Sequence, residues 1–146
     1  VHDPERAFLE SGSCPPPLGT VKFPRFLYSL GAEKAQHFFR VPGVPADITF
    51  RERFDLSVYG FNAFILHTPG HSEGSSSVVI GNDIALVGDA MTGMPGSIFP
   101  PWGSDVAAIT ASWEKLLATG CRLFLPAHGF GVGRNRLQAS FSSRQR

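Results

Sequence analysis

The chain has 146 residues, of which 42% are hydrophobic, so it is long enough for one domain with a packed core, and its composition excludes a disordered chain. A formal net charge of +1, with dispersed basic residues, offers no strong field to nucleic acid or to an acidic membrane. No apolar run reaches the ~18 residues of a membrane-spanning helix.

The first 45 residues alternate helix signals with proline-rich breaks. Asp3-Pro4-Glu5 predicts the start of a helix, because Asp can cap free N–H groups and Pro suits the first turn. Gly12 predicts the end of that helix. Downstream we expect a loop at 14–19, helices at 25–30 and 32–39, and a break at the proline-containing residues 41–45.

From Asp47 onward the spacing of apolar residues changes to that of strands. Residues 48–50 and 54–58 alternate around a polar turn, which predicts two strands, and residues 61–67 predict a third. The middle of the chain is therefore expected to form a sheet.

A β-hairpin is the sharpest strand prediction. Its strands are expected at 76–80 and 84–87, and the turn between them is Gly81-Asn82-Asp83, whose residues tolerate positive φ. The apolar runs 78–80 and 85–87 are typical of strands that are buried.

The last third of the chain predicts one amphipathic helix and one short strand. After a Pro/Gly-rich excursion at 91–103, Ser104 predicts the helix cap and Gly120 its stop. The apolar face of this helix comprises Val106, Ile109, Thr110, Trp113, Leu116 and Leu117. Residues 122–125 predict a strand. The arginine-containing residues 131–146 favour a frayed, solvated tail over a binding patch.

Three ligand-type side chains lie where apolar strands end. His71 follows the third predicted strand, Asp89 follows the hairpin, and His128 follows the last strand. Strand ends hold side chains rigidly while the adjoining loops expose them, as a metal site requires. Imidazole nitrogens and a carboxylate oxygen are usual zinc donors. Each position alone is a weak signal, since a single His or Asp there is more often structural.

His67 lies four residues before His71, but Pro69-Gly70 between them excludes a helix that would place both side chains on one face. We therefore expect His67 to orient the ligand loop by hydrogen bonding and not to bind the metal itself.

The excursion after Asp89 leaves two interpretations open. Its large apolar residues either line the wall of a substrate pocket or pack against one another inside the loop. These residues are Met94, Ile98, Phe99 and Trp102.

Taken together, the motifs resemble those of the metallo-β-lactamase superfamily. Thr68-Pro69-Gly70-His71 is similar to that family's T-P-G-H loop, Gly88-Asp89 to its G-D element, and Pro126-Ala127-His128-Gly129 to its P-x-H-G loop. A hairpin between the first two motifs and a Trp-bearing helix before the third are also typical of the family. The resemblance covers residues 47–129 well and the earlier residues loosely.

The resemblance implies an α/β (α+β) fold, a single but incomplete domain over 1–146 that forms part of an αββα sandwich. It implies that His71 belongs to one metal position and His128 to a second, with Asp89 between them. The implied cofactor is zinc, as one or two ions, with iron or manganese as alternatives. The implied partner is a small-molecule substrate with an ester, thioester or amide-type bond.

The family's main signature, H-x-H-x-D-H, is absent from these 146 residues. The resemblance therefore implies that the chain carries only part of the metal site, and that a homodimer or the missing N-terminal half completes the domain. Two functions stay open. One is a metal-dependent hydrolase, and the other is a catalytically silent truncated domain that acts as a binding or assembly module and is completed by dimerisation or by a partner chain.

Two cysteines, Cys14 and Cys121, lie far apart and form no C-x-x-C motif. No secretory signal pattern opens the chain. We therefore expect reduced thiols and a cytoplasmic protein.

Overall fold

The structure is a computed structural model that describes residues 1–13, 20 and 41–145. The predicted loop at 14–19, the predicted helices at 25–30 and 32–39, and Cys14 lie outside the described residues. The elements of the described part are six strands, β1 (Arg53–Asp55), β2 (Ala63–His67), β3 (Ser76–Ile80), β4 (Ile84–Gly88), β5 (Leu123–Pro126) and β6 (Val132–Gly133), and three α-helices, α1 (Arg6–Ser11), α2 (Val106–Ala118) and α3 (Arg134–Arg144).

The strands form one mixed sheet in the order β1-β2-β3-β4-β5-β6. Neighbouring strands are antiparallel except β4 and β5, which are parallel and are connected through α2. As a result β2, β4 and β5 all run in the same direction, and their C-terminal ends meet at one edge of the sheet. The expected α/β class is confirmed.

The core lies between one face of the sheet and the helices α2 and α3. Val79, Ala85 and Phe124 are fully buried on the strands, and Trp113 and Leu137 are fully buried on the two helices. On α2 the buried side chains recur at the spacing expected of an amphipathic helix.

The other face of the sheet is also apolar but is partly open. Successive strand residues point to opposite faces, so only half of each predicted apolar run faces the core. Ile80 and Leu86 on this second face are 42% and 43% exposed. The expectation that both apolar runs of the hairpin are buried is therefore wrong for the residues on this face. The hairpin itself is confirmed, and Gly81 and Asn82 have φ values of 56° and 54°.

The strand predicted at 48–50 is wrong. Phe50 makes only an isolated bridge with His2. The strand predicted at 54–58 ends early, at Asp55, and residues Ser57–Tyr59 form a 3-10 turn. The Asp55 carboxylate accepts a 2.8 Å hydrogen bond from the Ser57 N–H, and this local bond competes with the alternating pattern.

The predicted helix caps need two corrections. The N-terminal helix ends at Gly12 as expected, at φ 66°, but the Asp3 carboxylate pairs with Arg51 at 2.9 Å and caps no N–H group. The α2 cap is Asp105, which accepts from the Ala108 N–H at 2.9 Å, and not Ser104.

Residues 131–145 form a strand and a helix in place of the expected frayed tail. Arg134 donates to the carbonyl oxygens of Leu117 at 2.8 Å and Cys121 at 3.2 Å, and so ties the start of α3 to the end of α2. Leu137 fills the core beneath them. None of the helices in the described part is long and apolar enough to cross a membrane.

Candidate metal centre

The three predicted ligands lie in the loops that follow β2, β4 and β5, at the edge where these strands end together. His71, Asp89 and His128 line one cavity of about 650 Å³. The topology explains this convergence, because strands that share a direction deliver their C-terminal loops to the same edge.

Backbone contacts with the start of α2 hold the His71 loop. The Gly70 carbonyl oxygen accepts from the N–H groups of Ser104 at 2.7 Å and Asp105 at 3.0 Å. The Ser112 hydroxyl donates to the Pro69 carbonyl oxygen at 2.7 Å, further along the helix. Both contacts tie the residues just before His71 to a rigid element.

The other two ligand loops are joined directly to each other. The Ala127 N–H donates to the Gly88 carbonyl oxygen at 3.0 Å, and the Gly93 N–H donates to the His128 carbonyl oxygen at 2.8 Å. The buried indole N–H of Trp113 donates to the Ala90 carbonyl oxygen at 2.7 Å, which fixes the loop that carries Asp89.

Glycine is required at Gly70 and Gly129. Gly70 has φ 130°, and a Cβ there would lie 2.5 Å from the backbone nitrogen of Ile109. Gly129 has φ 89°, and a Cβ there would lie 2.6 Å from the backbone of Gly93. Neither position accepts a side chain without strain.

Asp89 faces both histidines, one with each carboxylate oxygen. Its Oδ2 lies 3.9 Å from His71 Nε2, and its Oδ1 lies 3.6 Å from His128 Nε2. His71 Nδ1 donates to the Trp102 carbonyl oxygen at 3.1 Å. That bond leaves the lone pair of a neutral His71 ring on Nε2, the nitrogen that faces Asp89.

These separations come close to those of a metal site, pair by pair. Zinc bonds to nitrogen and oxygen are about 2.0–2.2 Å, so two ligands of a tetrahedral zinc lie about 3.4 Å apart. The His128–Asp89 pair, at 3.6 Å, is near that spacing, and the His71–Asp89 pair, at 3.9 Å, would have to close by about half an ångström. Within the described residues, however, no three His, Cys, Asp or Glu side chains are arranged to hold one ion together. The arrangement therefore resembles two partial positions that share Asp89.

His67 lies beside the centre and not in it. Its Nε2 donates to the Glu73 carbonyl oxygen at 2.8 Å, which closes the loop that contains His71. Its ring stacks on the ring of His2, with centroids 3.8 Å apart. The sequence analysis missed His2, because a contact between residues so far apart in sequence leaves no local signal.

Burial, followed by the neighbouring His67, lowers the pKa of His2. Glu52 lies 3.9 Å from His67 Nδ1, and a hydrogen bond from Lys115 lowers the pKa of this carboxyl. The N-terminus is thus packed against the strand end that precedes the ligand loop.

The remaining walls of the cavity come from the excursion after Asp89. Met94 and Trp102 line it, as one of the two sequence interpretations proposed. Ile98 and Phe99 are buried in the main core, which neither interpretation proposed. The lining residues that the sequence analysis did not single out are Thr92, Pro100 and Pro101.

No family model matches the chain, and comparison with curated proteins finds no sequence relative. Solved structures do match it. An archaeal metallo-β-lactamase superfamily protein, ST1585 from Sulfolobus tokodaii, superposes with a TM-score of 0.60 at 18% identity, over 100% of this chain and 57% of that one.

Two further structures superpose on the chain to a similar extent. The metallo-β-lactamase family protein TTHA1429 from Thermus thermophilus has a TM-score of 0.61 at 18% identity, over 99% of this chain and 52% of that one. The B3 metallo-β-lactamase BLEG-1 has a TM-score of 0.63 at 23% identity, over 95% of this chain and 61% of that one.

These likenesses confirm the expected fold. The chain has part of the metallo-β-lactamase fold and spans somewhat more than half the length of the structures it matches. At such low identity the structural similarity shows the fold alone. Any activity or ligand has to be inferred from the residues of the site.

Proposed function

We propose that the chain is the C-terminal part of a metal-dependent hydrolase of the metallo-β-lactamase superfamily. The observation that supports this most directly is the position of Asp89, whose two carboxylate oxygens each face one histidine at the edge where three strands end. His71 and Asp89 would bind one zinc, and His128 and Asp89 a second, with iron or manganese as alternatives. The proposed substrate is a small molecule with an ester, thioester or amide-type bond.

When bound, zinc lowers the pKa of a coordinated water to about 7 and polarises a carbonyl group. The residues of the chain prepare the site for that chemistry. The carbonyl oxygen of Trp102 accepts a hydrogen bond from the Nδ1–H group of His71. This bond favours the tautomer in which Nε2 carries the lone pair. His67 closes the ligand loop through Glu73. Both act as positioning residues.

The rest of the site is proposed to come from a second polypeptide layer that packs on the open face of the sheet. The His128 side chain is 72% exposed, as expected for a ligand whose other neighbours come from that second layer. The second face exposes Ile80 and Leu86. We propose that an N-terminal half of the domain covers that face and supplies further ligands. A homodimer through the same face is the rival arrangement.

The proposal is tested by equilibrium dialysis of the chain against zinc, with His71→Ala, Asp89→Asn and His128→Ala variants. We expect weak zinc binding. His71→Ala and His128→Ala should each weaken binding at one of the two positions about tenfold or more, whereas Asp89→Asn should weaken binding at both, because Asp89 faces both histidines. Asp83→Asn is the matched control, since Asp83 is an exposed hairpin residue paired with Arg122.

The catalytically silent domain makes the opposite prediction. If zinc binds no better to the chain than to the triple variant, or if Asp83→Asn weakens binding as much as Asp89→Asn, the hydrolase proposal is wrong. The fold would then serve binding or assembly alone.

A further inference from the structure

The cavity has an apolar wall facing the ligand candidates. Met94, Pro101 and Trp102 form its accessible surface, with the fully buried Pro100 behind them, and Met94 is 52% exposed. The titratable residues among the described lining are only His71, Asp89 and His128, and this lining includes no Lys or Arg. The wall therefore provides apolar surface and no ionic partner for a charged group.

The wall is anchored on its inner side. Ile98 and Phe99, from the same excursion, are 2% and 9% exposed and pack in the core. The Phe99 ring lies edge-on to Trp113, with centroids 5.6 Å apart. A wall with buried anchors keeps its shape, so its exposed residues form a preformed surface and not a collapsing loop.

Helix α3 supports the wall from outside. Arg136 donates to the Met94 carbonyl oxygen at 2.6 Å. The Arg144 guanidinium lies 3.5 Å from the centre of the Phe99 ring. The two contacts hold both ends of the segment that carries Met94 at the cavity.

The wall and the candidate metal centre are one unit, because the Trp102 carbonyl oxygen accepts from His71 at 3.1 Å. A group that contacts Trp102 therefore lies beside the ligand set. We infer that this wall binds an uncharged, apolar acyl group, so that the site takes esters, thioesters or amides of apolar acids. The inference rests on the proposed function and narrows its substrate class.

The test uses binding, because it is independent of turnover. The chain contains two methionines, Met94 in the wall and Met91, which is fully buried. With ¹³C-methyl methionine, Met94 reports on the wall and Met91 serves as the internal control. The probes are butanamide and hexanamide, with 6-aminohexanamide and the monoamide of adipic acid as charged analogues of similar length.

We expect the Met94 signal to shift and saturate, with hexanamide binding about five- to tenfold more tightly than butanamide, since each fully buried methylene is worth about fourfold. Both charged analogues should bind severalfold more weakly than hexanamide. Trp102→Ala should weaken hexanamide binding severalfold and Trp102→Phe should restore it. Tyr59→Ala, an exposed aromatic residue outside the cavity lining, should leave it unchanged.

The inference is overturned if Met94 does not respond to hexanamide, if a charged analogue binds equally well, or if Met91 shifts as much as Met94. The comparison of butanamide with hexanamide on the unmodified protein tests the inference even if Trp102→Ala does not fold. Zinc is titrated into the same samples. Zinc binding without a hexanamide response would reject acyl binding by the wall but not the metal centre. A hexanamide response without zinc binding would reject the metal centre but not acyl binding by the wall.

Discussion

At the scale of single residues, backbone hydrogen bonds position the candidate ligands more than side-chain contacts do. The carbonyl of Gly70 accepts two N–H groups from the start of α2, and the loop can approach that closely only because Gly70 has no side chain.

Gly70→Ala should destabilise the fold by about 2–4 kcal/mol, because it combines a left-handed φ with a backbone clash. Urea unfolding measures the loss. Gly133→Ala is the control, since Gly133 has an ordinary φ of −70° and no heavy atom within 4 Å of an added Cβ. Equal midpoints for the two variants would contradict this reading of the loop.

Burial of His2, beside His67, lowers the pKa of His2 and makes stability depend on pH. The folded pKa of His2 lies below its ordinary value of 6.5, so the unfolded chain binds a proton more readily. Stability is therefore greatest above about pH 6.5 and is lost as the pH falls through the lower folded pKa.

His2→Phe should remove this part of the pH dependence, because phenylalanine can stack on His67 and carries no proton. Thermal midpoints measured from about pH 8 to pH 5 test it. A decline that is as steep in the variant as in the unmodified chain would show that His2 is not responsible.

At this scale the sequence was most informative about the ligand candidates. His71, Asp89 and His128 follow strands whose apolar patterns are local, so their placement could be predicted. His2 could not, because its partner His67 is brought to it only by the fold.

At the scale of elements, the β3–β4 hairpin and α2 were predicted closely, because each carries its own periodicity and turn residues. Helix α3 was missed. It buries only Leu137 fully, and its arginines are held by carbonyl groups and a ring from other elements. Such contacts leave no periodic trace in the sequence.

Arg144→Gln should therefore lower the unfolding free energy by about 0.5–1 kcal/mol, as expected for loss of a cation–π contact between an exposed guanidinium and a buried ring. Arg144→Lys should recover part of it. Arg51→Gln is the control, because Arg51 is an exposed partner of Asp3 and surface ion pairs contribute little. The prediction is wrong if chemical denaturation gives the same stability for Arg51→Gln and Arg144→Gln.

At the scale of the whole molecule, the sheet is apolar on both faces, and the chain spans 52–61% of the structures with which it shares a fold. Composition indicated a packed core but could not show that one sheet face stays open. The exposure of that face becomes apparent only when the strand residues, which point alternately to the two faces, are assembled into the sheet.

The isolated chain should self-associate through this face. Leu86→Lys should lower the light-scattering mass toward that of one chain, because it places a charge on an apolar surface. Val58→Lys is the control: Val58 is 76% exposed but belongs to a 3-10 turn outside the six strands. Equal effects of the two substitutions would exclude the face as the site of association.

The central claim is that His71 and His128, with Asp89 between them, are metal ligands. Long-range ¹H–¹⁵N spectra of the five histidine rings during a zinc titration test it directly. The Nε2 signals of His71 and His128 should shift with zinc, the Nδ1 proton of His71 should persist, and His2 and His67 should respond little. A response confined to His2, His37 or His67, with the Nε2 atoms of His71 and His128 unchanged, would contradict the proposed centre.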